Sequence, residues 1–413
     1  MKRKTILYLR TDLGNQQLNA GGSVGHTLGV LRAYQQMGYT TVVASSALWP
    51  VLEKELLQWV PLKLPFFCRW LGTKISAFLS TFFFAPRIIY LIIKYKPSYI
   101  YQRYSVLNFS GIMARFACRV PVVLEYNGSE IWIERFWTFK QTLRLVRLIG
   151  VIEWLNIRYA QLIVVVSHVL QQDLIKRGVD AAKIVVNPNG VDVQQFDPSY
   201  LHDNRHHIRA LFKIESQVVV GFIGTFSAWH GINILAKIIP QVLQQNPALH
   251  FLLIGDGQLH AWLKKELCMY DQHITFTGTV AQEQAKNYLA ACDMFLCPTQ
   301  PNADGSPFFG SPTKLFEYMS LAKPIIASAI EQVEFILNPA YKVQRNSHTI
   351  MPQSCGLLVD PHDVMGFVYA INLVAQWSTS ERAVIGDCAR NKVIQEYTWT
   401  QHVAKITMHP TLS

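Results

Sequence analysis

The residues best able to do chemistry in this chain stand together at Gly310-Ser311-Pro312-Thr313-Lys314-Leu315-Phe316-Glu317-Tyr318-Met319. A Gly-Ser-Pro turn runs into a segment in which Leu315, Met319 and Ala322 recur at helical spacing. The spacing predicts a helix whose first-turn amides are free to face an anion such as a phosphate. Lys314 adds a point charge there. Glu317, one turn on and on the same face, is a carboxylate that could accept two hydroxyls of a sugar ring. One element could then hold both halves of a nucleotide. An ordinary buried helix after a proline turn fits the same residues taken alone.

The surrounding elements decide between these. Between residues 218 and 360, short β-like runs alternate with amphipathic segments. Val218 to Ile223, His250 to Ile254, Ile274 to Thr277, Met294 to Cys297 and Pro324 to Ala327 read as strands. Ile232 to Gln245, Leu259 to Tyr270, Gln282 to Ala291 and the segment after Pro312 read as helices. Apolar strands bounded by glycine, with helices of about ten residues between them, indicate parallel βαβ units and a doubly wound nucleotide-binding domain. The first half repeats the pattern. Its expected strands are Thr5 to Leu9, Thr40 to Ala44, Tyr99 to Tyr101, Val120 to Leu124 and Leu162 to Val166, with a Gly-rich loop and a helix from about Ser23 to Met37 after the first. A connection is expected between Asp192 and Gln217. Its run His202 to His207 reads as a solvated loop, since it lacks the spaced acidic or cysteine partner of a metal site.

With 413 residues, half of them apolar, the chain is too long for one core and too apolar for disorder. Seven cysteines with no Cys-x-x-Cys pair form neither a disulfide framework nor a structural zinc site, so a reducing cytosol is expected. Met1 to Arg10 is too short in apolar residues for a signal peptide. The formal charge of +11 is concentrated in the first half, where Lys63, Arg69, Lys74, Arg87, Lys94, Lys96, Arg103, Arg115 and Arg119 interleave with Phe66, Phe67, Trp70, Phe78 and Phe82 to Phe84. Such a surface suits an anionic membrane better than nucleic acid. The apolar run Ile75 to Ile93, broken by Pro86-Arg87, reads as too short to cross a bilayer, and a core helix with a proline bend fits it equally. Lys140, Arg144 and Arg147, beside Phe136 and Trp137, recur on one helical stripe and read as a membrane or acceptor face.

The order of the motifs resembles glycosyltransferases of family 4, retaining enzymes of the GT-B fold that use nucleotide sugars. The motifs are Gly21-Gly22-Ser23-Val24-Gly25-His26, Asn127-Gly128-Ser129-Glu130, Val166-Ser167, Pro188-Asn189-Gly190-Val191-Asp192, Gly224-Thr225-Phe226, Trp229-His230-Gly231, Ile254-Gly255-Asp256-Gly257, Phe276-Thr277-Gly278 and the Lys314 to Glu317 segment. The resemblance covers nearly the whole chain. It implies an α/β protein with two doubly wound Rossmann-like domains facing a cleft: an acceptor-binding domain over 1–200, a nucleotide-sugar-binding domain over 201–390, and a crossover helix and tail over 391–413. Tyr397-Thr398-Trp399 resembles the start of that crossover.

Carried over residue by residue, the resemblance makes Glu317 the ribose ligand, with Gly22, Ser23, Gly224, Thr225, Gly255, Gly310, Ser311, Pro312 and Thr313 on the donor side. Lys314, His230, Asn127 and Glu130 become the catalytic candidates. The chain departs from the family pattern in three places. Relatives place basic residues where Thr225 and His230 stand, so Lys314 and the amides of Ser311 to Thr313 must carry more of the phosphate charge. The first of the family's two glutamates falls on Phe309, which leaves donor-sugar contact to backbone near Phe308 to Gly310 or to Asp304, itself as much a turn former as a ligand. Asn127 replaces a histidine and can orient a hydroxyl but not take its proton. Glu130 is then a positioning carboxylate, with Glu125 as its substitute.

The chain has no Asp-x-Asp cluster, so transfer without metal or other cofactor is expected. The expected partners are a nucleotide sugar, a glycan or lipid-linked acceptor and an anionic membrane surface, with no nucleic acid, at the cytoplasmic face of the cell membrane. Competing readings are a nucleotide-sugar-binding regulatory protein on a degenerate transferase scaffold, and a phosphorylase or epimerase of the same fold.

Overall fold

A computed structural model of the protein describes residues 4–13, 21–46, 58–136, 145–344 and 353–412, without the side chains of Arg69 and Glu134. Two compact units emerge: Met1–Asn19 with Val30–Pro188 and Thr400–Ser413, and Ala20–Gly29 with Asn189–Trp399.

Among the described residues the first unit holds one parallel sheet. Its strands are β1 (Thr5–Arg10), β2 (Thr40–Ser45), β3 (Gln58–Pro61), β4 (Tyr99–Arg103), β5 (Val122–Tyr126), β6 (Leu162–Val165) and β7 (Ile184–Val186), in the order β3-β2-β1-β4-β5-β6-β7. Ile6 to Leu9 of β1 are fully buried, as a central strand covered by helices on both faces requires. β3 and β7 were not expected. β3 carries Gln58 and Pro61, and a proline is tolerated there because the strand lies at the sheet edge.

The apolar run near Pro86 departs from expectation. One helix of 23 residues, Thr73–Tyr95, continues through Pro86. It is long and apolar enough to cross a membrane by length and composition, but half of its most apolar window is buried in the protein. Phe84, Ile88, Leu91 and Ile92 pack with Leu7, Val42 and Ile100 of the sheet, so this face belongs to the core. Trp137, Lys140 and Arg144 lie outside the described residues, and Arg147 is exposed on the helix Val146–Tyr159.

The second unit holds β8 (Val218–Ile223), β9 (Leu249–Ile254), β10 (Ile274–Phe276), β11 (Met294–Cys297), β12 (Ile325–Ser328), β13 (Tyr341–Lys342) and β14 (Leu357–Val359), ordered β10-β9-β8-β11-β12-β14-β13 and all parallel. The expected helix Leu259 to Tyr270 is instead His260–Glu266 followed by a 3-10 segment, Cys268–His273, with a kink at Tyr270. His202 to His207 are not a loop. They open the helix His202–Phe212, whose Arg205 and Arg209 both reach Asp293 at the start of β11, 2.6 and 2.5 Å away.

The chain divides after Pro188 rather than after residue 200. Residues 191–201 pack on the second unit: Val191 bridges Thr398, Asp197 pairs with Arg390 at 2.8 Å, and the carbonyl of Phe196 accepts from Ser320. The return also comes later than 391, because the helix Thr379–Glu396 belongs wholly to the second unit and the chain passes to the first after Trp399.

Candidate functional site

In an open parallel sheet, ligands gather at the carboxyl ends of the strands where the strand order reverses. In the second unit that point lies between β8 and β11, at Gly224 and Pro298. The helix Thr313–Ser320 starts after Pro312 and carries Lys314 and Glu317 into this region. Lys314 is buried. Its Nζ lies 4.2 Å over the Phe222 ring, and a Cβ on Gly224 would come within 2.8 Å of it. This ammonium has no hydrogen-bond partner among the described residues. Burial lowers its pKa to about 8, against the opposing pull of Cys297 and Glu317. Glu317 is half-buried, accepts weakly from Gln282 at 3.5 Å, and is raised to about 7 by the loss of water around it.

His230 lies in the turn after β8. It is buried, stacks on Trp229 at 3.5 Å, and has no partner for Nδ1 among the described residues. Burial first, and then the charge of Lys314, hold its pKa well below the usual histidine value, so it is neutral at pH 7. The turn has no room for a side chain at Gly231. A Cβ on Gly231 would stand 1.9 Å from the Pro298 carbonyl, and Gly231 has a φ of +83° that favours glycine. Thr225 is exposed on the same loop.

Gly22 and Ser23 open the helix Gly22–Gln36, whose first residues belong to the second unit. A Cβ on Gly22 would come 2.7 Å from Thr313 Oγ1, and one on Gly25 3.2 Å from the Gln282 amide. Small residues there let this segment approach the start of the Thr313–Ser320 helix closely. Asn189 fixes the turn that precedes that helix: its backbone N–H donates to Ser311 Oγ at 3.1 Å and its side-chain amide to the Ser311 carbonyl, while its Oδ1 meets His26 Nδ1 at 2.7 Å. Gly255 has a packing role. Its Cβ would stand 2.1 Å from the Gly224 carbonyl, so it lets the end of β9 close on the loop after β8. Asp304 closes its own turn by accepting from Ser306 N and Oγ. Phe309 is buried, and the ring of Phe308 lies 2.8 Å from where a Cβ on Gly310 would be.

The first unit has its own reversal point between β1 and β4, and polar groups collect there. Asp12 accepts from Arg10 Nε and Ser105 Oγ, both at 2.6 Å. Arg103, at the end of β4, pairs with fully buried Glu125, its neighbour in register on β5. Asn127 donates to the same carboxylate at 2.7 Å. Burial opposes the charge on Arg103, yet Glu125, with smaller contributions from Tyr8, Asp12 and Tyr101, offsets it and raises the pKa above the ordinary arginine value. Glu130 begins the helix Glu130–Phe136 beside Tyr104. Asn127 and Glu125 therefore act as one hydrogen-bonded group, not as separate candidates.

Two family descriptions match the chain in succession: Glycosyltransferase Family 4 over residues 20–195 and Glycosyl transferases group 1 over 217–376. The chain belongs to glycosyltransferase family 4. A GDP-mannose-dependent phosphatidylinositol monomannoside mannosyltransferase of Corynebacterium glutamicum is 24% identical over 51% of this chain and 52% of that protein. The amylovoran biosynthesis glycosyltransferase AmsK of Erwinia amylovora is 27% identical over 41% and 39%. The chain thus spans about half the length of these curated relatives or less. Among solved structures, HepE of Anabaena in complex with UDP has a TM-score of 0.68 at 19% identity, covering 97% of this chain and 99% of that one. A Rickettsia africae glycosyltransferase reaches 0.71 at 17% identity, covering 100% and 99%. These likenesses show the fold, two parallel-sheet Rossmann-like domains of the GT-B type.

Within this family 4 chain, the structure gathers Lys314, Glu317, His230, Gly22, Ser23, Gly224, Thr225 and Gly310 to Thr313 around one reversal point of the second unit. Asn127 and Glu130 lie in the first unit. His26, Asn189, Gln282, Trp229 and Arg103 were not singled out as site residues from the sequence, although His26, Asn189 and Trp229 stand inside motifs that were. His26 and Asn189 are 163 positions apart, and nothing local marks them as partners.

Proposed function

We propose that this protein moves a sugar from a nucleotide-diphosphate donor to a hydroxyl of a lipid-linked or cell-surface glycan, with retention and without a metal. The observation that carries this reading is the buried ammonium of Lys314 at the reversal point, without a hydrogen-bond partner among the described residues, with the Glu317 carboxylate one turn further along the same helix. A desolvated cation is costly without a counter-ion, and a diphosphate supplies one. Charge on the leaving phosphate grows in the transition state, so Lys314 and the first-turn amides stabilise that state more than the bound donor. Glu317 accepts the ribose hydroxyls.

The acceptor oxygen bonds to the anomeric carbon on the face that the diphosphate leaves. The carbon–phosphate-oxygen bond breaks with its electron pair on the phosphate, and the acceptor proton passes to that oxygen. This route needs no protein base, in keeping with an Asn127 that cannot be one and a Glu125 already engaged by Arg103 and Asn127. With Lys314 as the fixed cation and no Asp-x-Asp in the sequence, a metal has no evident holder. The names of the relatives, which act on phosphatidylinositol mannosides or in amylovoran synthesis, support an envelope glycan as acceptor and a site of action at the cytoplasmic membrane face.

The test is a panel of UDP-, GDP- and ADP-sugars with the purified protein, read as sugar release or transfer, with the product anomer assigned by NMR. Lys314→Ala should lower turnover about a hundredfold or more while donor affinity changes less. Unchanged turnover would remove Lys314 from the chemistry. Nucleotide binding without product from any donor would make the protein a nucleotide-sugar-binding regulator instead.

A further inference from the structure

The 3-10 segment Phe66–Leu71 follows β3 at the carboxyl edge of the first unit's sheet. Cys68 of the segment is turned into the protein, its carbonyl accepting from Ser76. The rings point the other way: Phe66, Phe67 and Trp70 are 68%, 57% and 79% exposed. The patch continues onto the outer face of the helix Thr73–Tyr95. Phe67 and Phe83 stand 6.2 Å apart, and Ile75, Phe82, Phe83, Tyr90 and Ile93 form an exposed stripe opposite the face packed on the core. Contiguous apolar surface of this kind marks a binding face.

The charge pattern around it selects the occupant. From Gln58 to Leu124 the sequence has nine lysines and arginines and no aspartate or glutamate. Lys63, Arg87 and Lys94 of this set are exposed beside the rings, with Arg87 lying over Tyr90 at 5.3 Å. A protein partner would have to match these cations with carboxylates placed one by one. A fluid anionic surface matches them without placement, and aromatic rings on a basic, amphipathic element are what binds in the headgroup layer. We propose that this face docks on an anionic lipid bilayer, with Phe66, Phe67 and Trp70 inserted and the Thr73–Tyr95 helix lying along the surface. The same edge of the sheet carries Asp12, Arg103 and Ser105, and Phe78 of the helix shares a core cluster with Leu13, Val106 and Phe109. Docking here would present a lipid-borne acceptor to the first unit. That consequence rests on the proposed acceptor class, but the docking itself does not.

The test uses the full chain and no substrate. Sedimentation with vesicles of phosphatidylglycerol and phosphatidylcholine at low salt should show binding, weaker to phosphatidylcholine alone and weakened by high salt. The variant Phe66→Ser, Phe67→Ser, Trp70→Ser should lose roughly tenfold in partitioning per inserted ring, with an unchanged circular dichroism spectrum. Tyr200→Ser, which removes an equally exposed ring (79%) from the second unit, should bind as the parent does. Wild-type binding by the triple variant, or no binding of the parent to anionic vesicles, would overturn the proposal. So would a parent that is dimeric and becomes monomeric in the triple variant, since a second copy would then cover the face.

Discussion

Lys314 is held in a state that costs the unliganded protein stability. Its folded pKa of about 8 lies below the value of 10.5 for a free lysine, so the unfolded chain binds its proton more tightly. Stability therefore rises with pH across that interval, and the penalty, about 3 kcal/mol, is fully present below pH 8. Lys314→Met should raise the melting temperature of the unliganded protein at pH 7 and flatten its increase between about pH 8 and 10. A variant that melts lower at pH 7 would show that the ammonium has a stabilising partner. Glu317→Gln should weaken nucleotide binding by about 1.5 to 3 kcal/mol, the worth of a charged hydrogen bond, with the fold intact by circular dichroism. Titration calorimetry giving an unchanged affinity would displace Glu317 from the ribose. Both residues were legible in the sequence because helical spacing alone puts positions 314 and 317 on one face. Their burial was not, nor was the Arg103 to Glu125 pair, which exists only through the β4–β5 register.

Among the elements, the helix His202–Phe212 shows where local reading failed. Its histidines and polar residues break the apolar pattern of a helix, yet two of its arginines anchor it. Arg205 and Arg209 share Asp293 and also donate to the carbonyls of Ala290, Ala291 and Cys292, so charge and hydrogen bonds join the helix to the start of strand β11. Burial alone would raise the Asp293 pKa, but the two guanidiniums and the Val219 amide bring it below the usual carboxylate value. A depressed folded pKa contributes stability that is complete above the unfolded value near 3.9 and lost as pH falls through the folded one. Asp293→Ala should cost about 3 kcal/mol at neutral pH by leaving two largely buried cations unpaired. Its melting temperature should then fall less than the parent's on acidification below about pH 4. Equal acid sensitivity in the two proteins would place that titration elsewhere. The elements from β8 to β12 were legible because compact apolar runs alternate there with amphipathic helices. The two-residue β13 carries too few residues to show a period.

For the whole molecule, the excess of positive charge lies in the first unit and the proposed nucleotide site in the second. Alternating apolar runs and amphipathic segments marked both sheets and the motif order marked the family, whereas the points at which the chain changes unit depend on long-range ties such as Asp197 to Arg390. A nucleotide held by Lys314, Glu317 and backbone amides should stabilise the second unit without any metal. At a hundredfold excess over Kd the gain is about 2.7 kcal/mol, or several degrees in the transition that reports that unit. UDP, GDP and ADP should be compared by differential scanning calorimetry in EDTA and again with magnesium. One nucleotide should raise the transition by the same amount in both. In Lys314→Met the rise should shrink even though the unliganded protein starts hotter, because the substitution removes the destabilising cation and its ligand contact together. A rise seen only with magnesium would mean that a divalent ion, not Lys314, neutralises the diphosphate, and the metal-free reading would fall.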